Sequence, residues 1–125
     1  MPAESPIPAG TRIGHVHLKV ADLQRSLDFY CGVLGFELQQ LFGRQAAFVS
    51  AGGYHHHIGL NTWESEGGSP PPPGATGLFH LAILYPARAD LADALHGAEP
   101  GTKLELVVLR KSLTKKLELI PERLY

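Results

Sequence analysis

Apolar and polar side chains alternate over residues 13–20, which predicts a strand with one apolar face. Apolar residues then recur at helical spacing over residues 23–34, after Asp22, which can cap a helix, and before Gly35, which offers a left-handed stop. Three short strands are predicted next, at residues 36–42, 45–50 and 55–62. The first half of the chain therefore predicts a βαβββ module.

A segment rich in proline and glycine, residues 64–77, follows this module and predicts an exposed connection. The elements predicted after it are a strand at residues 78–85, a helix that follows Pro86 and ends at His96 and Gly97, and a hairpin of strands at residues 103–110 and 115–120. A strand that carries a histidine, followed by a helix, begins near His15 and again near His80, which indicates duplicated modules. The predicted fold is α+β with paired βαβββ modules, the second of which is shortened.

The length of the chain suits a single domain, residues 1–125, with modules at residues 11–63 and 78–120 joined by the 64–77 segment. A net charge of -1 argues against nucleic acid as a partner. No apolar run is long enough to span a bilayer and the first residues lack the order of a secretory signal, so a cytoplasmic location without a membrane partner is expected. The single cysteine, Cys31, is expected to be a small buried apolar group.

Histidine is the residue type that points to chemistry. Six of the seven histidines lie on predicted strands, and all of these except His56 are candidates for chemistry: His15, His17, His55, His57 and His80. Because alternate side chains of a strand share a face, His55 and His57 are expected to point together and His56 to face the other way. For the same reason His15 and His17 are expected to point together. Several imidazoles are therefore expected to line one concave surface.

Two imidazoles and one carboxylate suit a divalent transition metal and leave coordination positions open for a substrate. His15 and His80 are the predicted imidazole ligands, because they open equivalent strands of the two modules. Glu118 is the first candidate for the carboxylate and Glu105 the second; each stands in a K-L-E-L setting, and the pattern leaves both open. The alternative is a structural histidine bonded to nearby backbone, which is favoured for an isolated one such as His56.

A resemblance to a known family begins at Gly14, where the chain reads G-H-V-H-L-K-V-A-D-L-Q-R-S-L-D-F-Y-C-G-V-L-G-F-E-L. This segment resembles the opening module of the glyoxalase/bleomycin-resistance/extradiol-dioxygenase superfamily, also called the vicinal oxygen chelate superfamily. Residues 45–63 and 77–86 resemble, more narrowly, its bacterial catechol-2,3-dioxygenase-type members. The resemblance implies a half-open barrel formed by the two modules, and metal ligation by His15, His80 and a carboxylate of the last strand.

That carboxylate corresponds to Glu118 when residues 109–119 are laid on the family pattern, although the acidic, glycine-rich turn that precedes it in the family is absent. The leading function that the resemblance implies is extradiol cleavage of a catecholic aromatic diol by dioxygen, with Fe(II) or Mn(II) as the metal. His57 or His55 would act as acid or base toward the bound diol, and Tyr54 is a weaker candidate in the same neighbourhood.

Two other functions of the same fold stay open. A glyoxalase-type isomerase would use Ni or Zn and commonly a further carboxylate on the fourth strand, where this chain offers His57. A resistance-type protein would bind a small molecule without catalysis. A homodimer is expected in each case, because open sheet edges and an uncovered apolar face favour association.

Overall fold

The computed structural model describes residues 5–96, 104–110 and 113–119. Its main feature is a four-stranded sheet, to which helical segments and a separate hairpin are added. The elements in chain order are β1 (Val16–Lys19), α1 (Leu23–Leu27), a π-helical turn (Asp28–Val33), β2 (Glu37–Phe42), β3 (Ala46–Ser50), β4 (Ile58–Asn61), α2 (Arg88–His96), β5 (Leu104–Arg110) and β6 (Leu113–Leu119).

The four-stranded sheet is mixed and has the strand order β1-β4-β3-β2. β1 pairs in parallel with β4, with His17 opposite Gly59, while β3 pairs antiparallel with both β4 and β2. β1 and β2 are therefore the two edges of an open sheet. The order of elements from β1 to β4 is the predicted βαβββ module, and the α+β class is confirmed.

Local sequence signals determine both ends of the first helical segment. Asp22 accepts a hydrogen bond from the Arg25 N–H at 2.9 Å, and Gly35 adopts a left-handed φ of 83°, both as predicted. The segment between them is not α-helical throughout, because its last turn is a π-helix in which the Leu34 N–H donates to the Phe29 carbonyl. Three apolar residues of this wider turn pack in one cluster with Leu34: Phe29, Tyr30 and Val33.

The main core lies between this helical segment and the sheet. Val49, Ile58 and Leu60 form its centre and are 0%, 2% and 0% exposed, because alternate residues of β3 and β4 face the helical segment. Cys31 is half-buried and packs against the same cluster, and burial raises the pKa of its thiol. It thus takes the expected role of a small apolar group.

A second apolar cluster joins the end of the helical segment to α2. Leu34 and Leu91 are both buried and belong to this cluster. The Tyr85 hydroxyl donates to the Leu34 carbonyl at 2.8 Å, so it fastens the segment before α2 to the first module. Residues 81–84 come to lie beside the beginning of β1 as a result.

The strand predicted at residues 78–85 is wrong. Ile83 alone forms an isolated bridge there, and Leu78 and Phe79 are 66% and 91% exposed. An apolar run becomes a strand only when a neighbouring strand completes its ladder of hydrogen bonds. Here Leu81 packs instead against the core of the first module. The 64–77 connection contains neither helix nor strand, as predicted.

The second module is described only in part. α2 ends at His96, and the predicted stop at Gly97 lies outside the described residues, as do residues 103 and 120 of the predicted hairpin. β5 and β6 pair antiparallel in a two-stranded sheet of their own, and β6 begins earlier than expected, at Leu113. Glu105 lies directly opposite Glu118 in this ladder, so the two candidate residues are paired across the hairpin.

Within the described ranges no helix is long and apolar enough to cross a membrane.

Candidate functional site

An apolar cavity of about 380 Å³ lies at the beginning of β1, between the sheet and the segment that precedes α2. Phe36, Ile58 and Leu81 are among the residues that line it, and so are His15 and His57. Cavities of a few hundred Å³ with mainly apolar walls and a few polar groups are typical of small-molecule sites. The cavity is therefore a candidate ligand site.

The loop before β4 brings three consecutive histidines to this region. Gly52 and Gly53 have positive φ values of 68° and 74°, which turn the chain after β3. The loop is then pinned between two strands: the His57 N–H donates to the Val49 carbonyl at 2.8 Å, and the Val16 N–H donates to the His57 carbonyl at 3.0 Å. These bonds hold the loop beside the beginning of β1.

Four imidazoles form what we call the histidine cluster: His15, His55, His56 and His57. The ring centroid of His56 is 4.3 Å from that of His15 and 4.6 Å from that of His55. The Nδ1 atoms of His55 and His56 are 2.9 Å apart. Burial of His56 lowers its pKa, and the neighbouring imidazoles, His15 first, lower it further. The surroundings of His56 therefore favour its neutral form.

The position of His56 contradicts the expectation that it faces away from its neighbours. β4 begins only at Ile58, so residues 55–57 do not alternate as they would in a strand. His56 is half-buried and its ring lies 4.9 Å from that of Phe48, on the sheet face opposite the helical segment. The signal that could have revealed this is the preceding pair of glycines, which favours a turn over an early start of β4.

His57 is oriented by its own loop. The Ala51 N–H donates to His57 Nδ1 at 3.2 Å, so the neutral ring carries its hydrogen on Nε2. Tyr54 packs against His55 and His57, with ring centroids 4.1 and 4.6 Å away. A Cβ added at Gly14 would come within 3.5 Å of the Tyr54 hydroxyl, which therefore reaches the cavity wall. His57 thus presents an oriented N–H donor.

His17 packs on the sheet and away from the cavity wall. Its ring lies over Gly59, where an added Cβ would come within 2.8 Å of His17 Nδ1. The ring also contacts Phe48 and Trp63, at centroid distances of 5.9 and 5.5 Å. Of the two histidines at residues 15 and 17, only His15 borders the cavity. His17 is therefore a matched control for experiments on His15.

The predicted metal ligands are not gathered in the part of the chain that the structure describes. His15 borders the cavity, whereas His80 is exposed and has its ring 5.3 Å from that of Phe79. Glu118 and its rung partner Glu105 lie on the separate hairpin. No three His, Cys, Asp or Glu side chains of the described residues are placed to hold one ion together. Imidazole and carboxylate donors suit the divalent metal that the resemblance implies. Ligation by His15, His80 and Glu118 stays a prediction.

Comparison with known proteins yields a family and a relative. The model of the Glyoxalase/Bleomycin resistance protein/Dioxygenase superfamily matches residues 12–101. The chain is 46% identical over 86 residues to a catechol-2,3-dioxygenase of Bacillus subtilis (strain 168), and the match covers 68% of this chain but only 30% of that relative. Among solved structures it is similar to a lactoylglutathione lyase from Agrobacterium tumefaciens, with a TM-score of 0.49 and 19% identity over 71% of this chain and 69% of that one.

Proposed function

The chain belongs to the Glyoxalase/Bleomycin resistance protein/Dioxygenase superfamily, and we propose that it binds a catecholic aromatic compound as an extradiol-dioxygenase-like member. The observation that carries this proposal is the apolar cavity with His15 and His57 in its wall. The identity with a catechol-2,3-dioxygenase supports the substrate class. The proposed reaction is ring cleavage of the diol by dioxygen.

The cavity matches the two chemical parts of a catechol. Phe36, Ile58 and Leu81 offer apolar surface to the ring, and burying apolar surface contributes roughly 25 cal/mol per Å². His57 donates from Nε2 to a diol oxygen, because the Ala51 N–H already occupies its Nδ1. This assigns His57 the role of hydrogen-bond donor toward the diol. Tyr54 packs against the rings of both His57 and His55. Tyr54 and His55 are the candidates for proton transfer.

The metal of the proposed reaction is Fe(II) or Mn(II), with His15, His80 and Glu118 as proposed ligands and Glu105 as the alternative to Glu118. Such an ion supplies positive charge for the diol oxygens and an open position for dioxygen. Family membership and donor chemistry support this ligand set. Because the described residues do not gather the three ligands, diol binding is proposed on the cavity alone and does not require the ion.

A second candidate is a protein that binds the aromatic ligand without cleaving it. It is supported by a departure from the family pattern: the acidic, glycine-rich turn that precedes the carboxylate in the family is absent from residues 109–119. Both candidates place the ligand in the same cavity. They differ in whether dioxygen is consumed, so a turnover measurement separates them.

Anaerobic loading with Fe(II) or Mn(II), followed by catechol and then labelled dioxygen, tests the proposed reaction. We expect dioxygen uptake and a ring-opened product that contains both oxygen atoms of the label. His15→Ala is expected to abolish uptake, because it removes a proposed ligand, whereas His17→Ala is the matched control and keeps it. Catechol binding without dioxygen uptake would favour the non-catalytic binding protein over the dioxygenase. Absence of both catechol binding and dioxygen uptake would contradict the proposal.

We also propose that the chain forms a homodimer through an open edge of its sheet. Strand β2 is such an edge, and its Leu38, Leu41 and Phe42 are 46%, 53% and 62% exposed. Unpaired strand edges with apolar side chains favour association with a second copy. Light scattering at micromolar concentration is expected to give a dimer, and Phe42→Lys is expected to shift it toward monomer. A wild-type monomer under these conditions would remove the claim.

A further inference from the structure

We propose that His55, His56 and His15 form a binding site for a divalent ion of the nickel and copper class, made entirely from the first module. The site uses neither His80 nor a glutamate of the hairpin. It shares His15 with the ligand set proposed for ring cleavage, but it does not depend on that function. Its basis is the arrangement of three neighbouring imidazoles at the beginning of β1.

The preformed part of this site is the pair His55 and His56. Their Nδ1 atoms are 2.9 Å apart, so without a metal the two rings share one hydrogen. An ion about 2.1 Å from each nitrogen would see the two at an angle of about 90°. That is the angle between neighbouring ligands in square-planar and octahedral coordination, and a tetrahedral ion would hold them about 3.4 Å apart.

The loop holds this pair in place through its neighbours. The ring of Tyr54 packs against His55 with centroids 4.1 Å apart, and the ring of Phe48 lies 4.9 Å from that of His56. Backbone hydrogen bonds of His57 to β3 and from the start of β1 pin the loop directly after the pair. Less conformational entropy is therefore lost on binding than in a free His-His peptide.

His15 supplies the third nitrogen. Its ring centroid is 4.3 Å from that of His56 and 5.9 Å from that of His55, and the side chain is exposed. The three rings do not already converge among the described residues, so His15 must turn about its side-chain torsions to reach the ion. An exposed side chain makes such a turn at low cost.

The donor set determines which ion is bound most tightly. Neutral imidazole nitrogens suit Ni(II), Cu(II) and Zn(II), and affinity for such a site rises from Mn(II) and Fe(II) through Ni(II) to Cu(II). The angle near 90° at His55 and His56 favours Ni(II) and Cu(II) over tetrahedral Zn(II). The expected order is therefore Cu(II), then Ni(II), with Fe(II) and Mn(II) much weaker.

Calorimetric titration of tag-free protein with NiCl2 at neutral pH tests the site. His55→Phe and His56→Phe each keep an aromatic ring in the loop and remove its nitrogens. Each is expected to lower Ni(II) affinity by more than roughly tenfold. Changes to residues that only contact a metal ligand typically cost about 10 to 100-fold in affinity, and loss of a ligand itself is expected to cost at least as much as the smallest of these. His17→Ala and His96→Ala remove histidines that the site does not use and are expected to bind as the wild type.

A second measurement identifies the donors directly. Electron paramagnetic resonance of the Cu(II)-loaded wild type is expected to show coupling to several imidazole nitrogens, and each Phe variant is expected to show fewer. Circular dichroism of every variant checks that the fold is kept. Unchanged Ni(II) affinity and unchanged Cu(II) spectra in both Phe variants would overturn the proposal. Loss of Ni(II) binding in His17→Ala equal to that in His56→Phe would also overturn it.

Discussion

His15→Ala is expected to lower the affinity for divalent metal by roughly 100-fold, at the upper end of what contacts outside the ligand shell cost. The reason is position: His15 borders the apolar cavity and also lies beside His56 in the histidine cluster. Both of the metal sites proposed for this chain use the imidazole of His15. The same variant is expected to weaken catechol binding, because one polar group of the cavity wall is lost.

The matched control for His15→Ala is His17→Ala. His17 lies two residues further along the chain and contacts Phe48 and Trp63, and it does not border the cavity. Calorimetric titration with Ni(II) and Mn(II) is the measurement, with circular dichroism to verify the fold. Equal losses of metal affinity in the two variants would mean that His15 is not a metal ligand. That result would contradict the assignment of the functional site to the cavity.

Leu60→Ala is expected to lower the free energy of unfolding by about 2–5 kcal/mol. Leu60 is 0% exposed and lies on β4, a central strand that pairs with both β1 and β3. Its side chain belongs to the cluster that joins the sheet to the helical segment. Truncation therefore removes apolar contacts and leaves a cavity that its neighbours on two strands cannot easily fill.

Urea denaturation followed by circular dichroism measures this loss. Leu38→Ala is the control, because Leu38 is 46% exposed on the edge strand β2 and its truncation is expected to cost less than about 1 kcal/mol. Equal midpoints for the two variants would contradict the assignment of the core to the interior of the sheet.

The first module could be predicted from the sequence because its signals are local. Asp22 and Gly35 act through their own side chain and backbone, and both ends of the helical segment lie where they indicate. Alternation placed β1 correctly, since one face of that strand packs on the core and the other carries His17 and Lys19. Each of these inferences needs only a few neighbouring residues.

The predictions that failed depend on partners elsewhere in the chain. Residues 78–85 have the composition of a strand, but a strand requires a neighbour to complete its hydrogen bonds, and pattern alone cannot supply one. His56 was assigned to the wrong face because β4 begins at Ile58 and not at residue 55. Residues that precede a strand do not alternate between its faces, so the rule used for His56 does not apply to residues 55–57. The location of the cavity was likewise not visible in the sequence.

Equilibrium binding of nitrocatechol and nitrobenzene to metal-free protein tests the proposed diol site in the cavity most directly. The two ligands share a ring and differ in the diol, which His57 is proposed to recognise in the cavity. We expect nitrocatechol to bind roughly tenfold more tightly, as one or two hydrogen bonds would supply. His57→Phe is expected to remove most of this difference and to leave nitrobenzene binding unchanged. Equal affinity of the wild type for both ligands, or no binding of either, would contradict the account.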